Sequence, residues 1–201
     1  MGNYSYLRAT DHSGPSADMD GVDVASSKYS LPIGWMIAFD ASELIEVPEA
    51  EEDYPGAIYR ASRLHAIERL SNAISVLRAD EYLWWIFRHL EGLHAEVSAA
   101  KAEFLEADPR EVFLMGEEGG DFDVQSRKAP GTLSEFLNRM RSGQRPLALD
   151  AVNSLCELSG MKLTGSRASD EVAWTGDMQV MGIPDSEALC RFWVRGVLAS
   201  E

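Results

Sequence analysis

Cysteine is scarce: Cys156 and Cys190, 34 positions apart, are the only two in 201 residues. No Cys-x-x-Cys pair exists, and two thiols cannot build a disulfide framework or a thiolate metal site, so both are expected reduced in a reducing cytosol. Long apolar runs are missing too. The longest, Leu31 to Phe39, is broken by Pro32 and Gly34 and has about half the length needed to cross a bilayer. The opening residues, Met1 to Arg8, contain no apolar stretch of signal-peptide type, and Tyr6 stands where a myristoylation signal needs Ser or Thr. A cytoplasmic protein without membrane attachment is expected. Basic residues are also few, at 18 Lys and Arg against 33 Asp and Glu, for a net charge of −15. Such a field repels nucleic acid and anionic lipid and draws in basic partners.

Composition is otherwise that of a folded chain, with 45% hydrophobic and 25% charged residues. A single α+β domain over residues 1–201 is expected. Period-two placement of Tyr4, Tyr6 and Arg8 predicts a strand, and the Gly-, Ser- and Asp-rich residues 11–27 read as a mobile loop. Leu31 to Phe39 predicts a short buried helix, and Glu43 to Val47 a strand. Ala57, Ala61, Leu64, Ile67, Leu70, Ile74 and Leu77 recur at helical spacing. Asp80 is placed to cap a second helix, whose inner face runs from Leu83 through Leu90, Leu93 and Val97 to Phe104. Together they predict a long antiparallel helical hairpin, packed with a small mixed or antiparallel sheet. Glu111 to Met115 reads as a strand. Thr132 with Glu135 suggests a capping box opening a helix to Arg141, and Pro146 the start of another. Further on, Val172 to Met181 suggests a hairpin and the residues after Asp185 a last helix.

Three blocks carry a family resemblance: Gly2-Asn3-Tyr4-Ser5-Tyr6-Leu7, Tyr29-Ser30-Leu31-Pro32 ahead of Trp35, and Asp53-Tyr54-Pro55-Gly56. In these the chain resembles a family of small uncharacterised bacterial proteins that open with an Asn-x-Ser-Tyr-Leu motif. The likeness covers about the first 120 residues. It implies a shared fold and a bacterial source, and it carries no activity.

Catalytic and metal motifs are tested and fail on spacing. His89 and His94 are five apart, which puts them about 140° apart around a helix and off the shared face that a zinc-protease pair needs. A calcium loop starting at Asp18 would need Gly at position 23 and Glu at position 29, where the chain has Asp23 and Tyr29. Gly160 and Gly165 have phosphate-loop spacing, but Ser166 replaces the lysine. No cofactor and no metal is expected.

What remains is acidity, and it is uneven. Residues 1–53 hold 11 acids and 2 bases, residues 54–201 22 acids and 16 bases. Asp40, Glu43, Glu46, Glu49, Glu51, Glu52 and Asp53, followed by Tyr54, form a stretch without Lys or Arg, and Glu117, Glu118, Asp121 and Asp123 form a second cluster. Surrounded by Pro, Gly and further acids, these carboxylates read as an exposed surface for a basic protein, with Trp35, Tyr54, Trp84 and Trp85 as nearby aromatic anchors. The expected function is that of an immunity protein that inhibits a basic bacterial toxin domain by covering its active site. Two alternatives are a hydrolase using the 117–123 carboxylates and a regulatory homodimer joined through the helical hairpin. Glu96, Glu103 and Glu106, expected on the exposed side of the second long helix, serve as a control group for the acidic segment.

Overall fold

A computed structural model describes residues 4–12, 21–28, 31–47, 56–80, 84–113 and 119–153. Five strands form its framework: β1 (Tyr4–Thr10), β2 (Val22–Lys28), β3 (Leu44–Val47), β4 (Gly56–Ser62) and β5 (Phe104–Asp108). They lie in the order β2-β1-β5-β4-β3, and every neighbouring pair is antiparallel. The helices are α1 (Ile33–Met36), α2 (Arg63–Leu77), α3 (Trp84–Ala99), α4 (Arg110–Phe113), α5 (Gly119–Arg141) and α6 (Arg145–Asn153), with one 3-10 turn at Ala41–Glu43.

Alternation along the strands assigns the two faces of the sheet. Leu7 and Ala9 of β1, Tyr59 and Ala61 of β4, and Leu105 and Ala107 of β5 point to one side. There they join a single core with Trp35 and Met36 of α1, Leu70 and Leu77 of α2, Leu90 and Leu93 of α3, and Leu133 and Phe136 of α5. Helix α2 buries Ala66, Leu70, Ala73 and Leu77, spaced at four, three and four, so one stripe faces the core, flanked by the half-buried Ile67, Ile74 and Val76. Leu64, expected on that stripe, is 68% exposed.

The chain is therefore α+β, but its framework is the five-stranded antiparallel sheet and not a long helical hairpin. Helices α2 and α3, of 15 and 16 residues, do pack on each other, yet both ends of the expected hairpin are strand. Ala57 and Ala61 lie in β4, and Phe104 opens β5. Alanine spacing caused the error, because positions 57 and 61 fit a helical period while alternation also puts both on one face of a strand. Within residues 11–27, read as a loop, Val22 onward is β2, an edge strand completed by β1. Instead of a strand at 111–115, Arg110–Phe113 makes the short helix α4. Thr132 opens no helix, since it lies inside α5. The hairpin and last helix expected after residue 172 fall outside the described residues.

Pro130 sits within α5 and lacks the N–H that would donate to the carbonyl four residues earlier. That carbonyl belongs to Ser126, and the Tyr59 hydroxyl donates to it at 3.1 Å and to the Arg127 carbonyl at 3.0 Å. A strand residue thus supplies the donor that proline removes, tying α5 to the sheet at the break.

Candidate functional site

Of the acidic stretch 40–53, Asp40, Glu43 and Glu46 are described, and each is engaged within the fold. Asp40 caps the 3-10 turn: its Oδ1 accepts from Ser42 N at 2.9 Å and Ser42 Oγ at 2.6 Å, while its own N–H donates to Glu43 Oε2 at 2.8 Å. This is a capping box. Glu43 also receives both arms of the Arg69 fork, at 2.7 and 3.1 Å, while Arg69 donates to the Ala38 carbonyl at 3.0 Å. Glu46 on β3 takes two hydrogen bonds from Arg127 on α5, Nη2 to Oε2 at 3.0 Å and Nη1 to Oε1. The Ser42 bonds hold Asp40 below the usual carboxylate range, and the Arg127 bonds do the same for Glu46. These three carboxylates fasten the turn and β3 to α2 and α5.

Asp121 and Asp123 lie in the first turns of α5 and not in a loop. Glu49, Glu51, Glu52, Asp53, Tyr54, Glu117 and Glu118 fall outside the described residues. Trp35, read as an anchor beside the acidic surface, is fully buried in the core. His94 shares a 2.8 Å hydrogen bond with Ser71 Oγ across the α2–α3 contact. Among the described residues no three His, Cys, Asp or Glu side chains gather as a metal site, and no helix is long and apolar enough to cross a membrane.

The most organised polar array went unseen in the sequence. On the sheet face away from the helical layer, Asp23, Arg8, Glu106 and Arg60 stand side by side on β2, β1, β5 and β4, paired in register as alternating charges. Arg8 Nε lies 3.3 Å from Asp23 Oδ1, and Arg60 Nε donates to Glu106 Oε2 at 3.0 Å. In the next row Asp108 takes both arms of Arg110 at 2.9 and 2.8 Å and stands 3.6 Å from Arg8 Nη1. The Arg8 guanidinium also lies 4.1 Å from the centre of the Tyr6 ring. Burial, with Glu111 adding to it, pushes the Tyr6 hydroxyl above its ordinary pKa. Arg60 and Glu106 are 3% and 10% exposed, so their charges are largely desolvated. Each arginine faces a carboxylate, which suits the array to locking four strands in register. Its trace in the sequence is the alternation Phe104-Leu105-Glu106-Ala107-Asp108, with apolar and acidic residues at period two.

A groove of about 610 Å³ opens where the ends of β1 and β2 meet the last turn of α3. Ala9, Val24, Ala99 and Ala100 give it a shallow apolar floor, and Asp11, Glu96 and Lys101 stand among its polar lining. Asp11 Oδ1 accepts from Glu103 N at 2.9 Å, joining β1 to the start of β5. A smaller cleft of about 130 Å³ between α1, α2 and α5 includes Asp40, Arg69, Asn72, Asn138 and Arg141. Its two arginines are already bonded, Arg69 to Glu43 and Arg141 to Asn138 and Asn72. Comparison with family models, with curated proteins and with solved structures found no match to this chain, so what it does must be argued from its own geometry and charge.

Proposed function

We propose that this chain is a cytoplasmic immunity protein: an acidic binding protein that docks a basic bacterial toxin domain and occludes its active site. The distribution of charge carries this reading. Residues 1–53 hold 11 acids and 2 bases, a net of −9, whereas residues 54–201 hold 22 acids and 16 bases, a net of −6, so the first quarter of the chain carries most of the excess. Within the acidic stretch Glu43 is engaged by Arg69 and Glu46 by Arg127, and Glu49, Glu51, Glu52 and Asp53 follow with no Lys or Arg among them. A field of this kind speeds encounter with a basic partner, and contact surfaces then hold the complex.

The test is association kinetics with the product of an adjacent gene, if that product is a basic toxin domain. The association rate should fall steeply as salt shrinks the Debye length from about 30 Å at 0.01 M to about 8 Å at 0.15 M, while dissociation changes little. Neutralising Glu49, Glu51, Glu52 and Asp53 should reproduce the high-salt rate at low salt. No binding, or an association rate indifferent to both, refutes the reading.

A further inference from the structure

We infer that an extended, basic segment of the partner adds to the open edge of the sheet at Val22–Val24 and seats a lysine or arginine side chain in the adjoining groove. This rests on the partner reading above. Two separate features of the fold converge there. The first is the edge itself: among the described residues β2 ends the sheet order with β1 as its one strand neighbour, and Val22 is 75% exposed. An exposed edge offers unpaired N–H and C=O groups to an incoming strand, and neighbouring pockets for alternate side chains supply the selectivity. The second is the groove of about 610 Å³ beside that edge. Val22 pairs with Ala9, so both face the groove side of the sheet.

The chemistry of the groove selects the side chain. Small residues at Ala9, Ala99 and Ala100 leave room for an aliphatic stem along the floor. Asp23 is held by Arg8, so the acceptors left for a cation are Glu96 and the second oxygen of Asp11, neither of which meets a donor among the described residues. The groove also lies at the C-terminal end of α3, where the helix dipole favours positive charge. Lys101 is the basic residue in the lining, and it sits on the connector after the helix. An acidic or purely apolar segment would gain the edge bonds but not the seat for a cation.

The probe is a synthetic peptide of alternating valine and lysine, compared with its valine and glutamate counterpart, on the full isotope-labelled chain. The lysine peptide should shift the amide resonances of Val22–Val24, Glu96 and Ala99 and slow hydrogen exchange at Val22–Val24, while the glutamate peptide should do neither. The double variant Glu96→Lys and Ala99→Leu reverses the charge and fills the floor, and both positions lie on an α3 surface that tolerates change. It should weaken the lysine peptide about tenfold or more with an unchanged circular dichroism spectrum. Shifts located elsewhere, or equal binding of both peptides, overturn the inference. Unaltered, still salt-dependent binding of the whole partner by the double variant overturns it while leaving the immunity reading standing. A partner that never binds refutes that reading, and the peptide experiment still decides the groove.

Discussion

Replacing Glu106 by leucine removes the carboxylate that faces Arg60 in the middle of the sheet, where both side chains are at most a tenth exposed. Removing one member of a buried ion pair costs about 3–5 kcal/mol, because the charge left behind has lost its counter-ion and cannot regain water. Against a total stability of about 5–15 kcal/mol for a folded domain, that loss is a large fraction. At about 2–4 °C per kcal/mol for a chain of this size, the melting temperature should fall by roughly 6–20 °C. Arg60→Met alone should cost a similar amount. The double variant, with both charges replaced by apolar groups of like volume, should return to within about 1 kcal/mol of the parent, since well-packed apolar pairs often match buried ion pairs. Urea titrations followed by circular dichroism on the four proteins give the coupling energy directly. If Glu106→Leu costs less than about 1 kcal/mol, the pair behaves like an exposed one and the sheet's second face is wetter than its geometry indicates.

Two further outcomes test how the fold is held. Tyr59→Phe should lose about 1–3 kcal/mol by stranding the Ser126 and Arg127 carbonyls, and Pro130→Ala, which restores the helix's own donor, should recover part of that loss in the double variant. Glu46 has its carboxyl lowered by Arg127, so its contribution is complete above the ordinary carboxylate range, near pH 4.3, and drains away as pH falls through the lowered value. At neutral pH Glu46→Gln should cost no more than about 1 kcal/mol, because the pair is largely exposed, and parent and variant should converge in urea midpoint once the pH lies below the lowered value. A gap that persists there would mean the lost contact was packing and not charge.

Much of the framework was legible in local pattern. Period two at Tyr4, Tyr6 and Arg8 marked β1, the run before Phe39 marked the buried α1, and Pro146 fell one residue inside the start of α6. Strand β4 was hidden because it passes into α2 with no break between Ser62 and Arg63, and its alanines suit either element. Helix α5 was hidden by Gly119, Gly120, Pro130 and Gly131, which read locally as breakers; the Tyr59 hydroxyl that compensates for Pro130 lies 67 residues from Ser126.

The acidic residues were visible, but their partners were not. Glu43 meets Arg69 across 26 residues and Glu46 meets Arg127 across 81, separations no local pattern encodes. For the same reason Glu106 makes a poor member of a control group with Glu96 and Glu103, and Glu96, which lines the groove proposed for the partner, belongs in none either. Glu106 is a buried strand residue, and neutralising all three would test stability rather than steering.

The sheet order also has a consequence for how the chain comes to be folded. Strand β1 is synthesised well before β5, yet β5 is one of its two neighbours, and the pairs from Tyr6–Asp108 to Thr10–Phe104 join positions about 100 residues apart. At ordinary synthesis rates roughly 5–20 s separate the emergence of the two strands. During that interval β1 can pair only with β2, and the edge later closed by β5 must wait, with Arg8 still lacking Asp108. Closing so long a loop before its contacts reward it slows folding. Until then Arg8, the one charge on β1, has only Asp23 of β2 as its partner in the row, and the carboxylates of β5 complete the array when the loop closes.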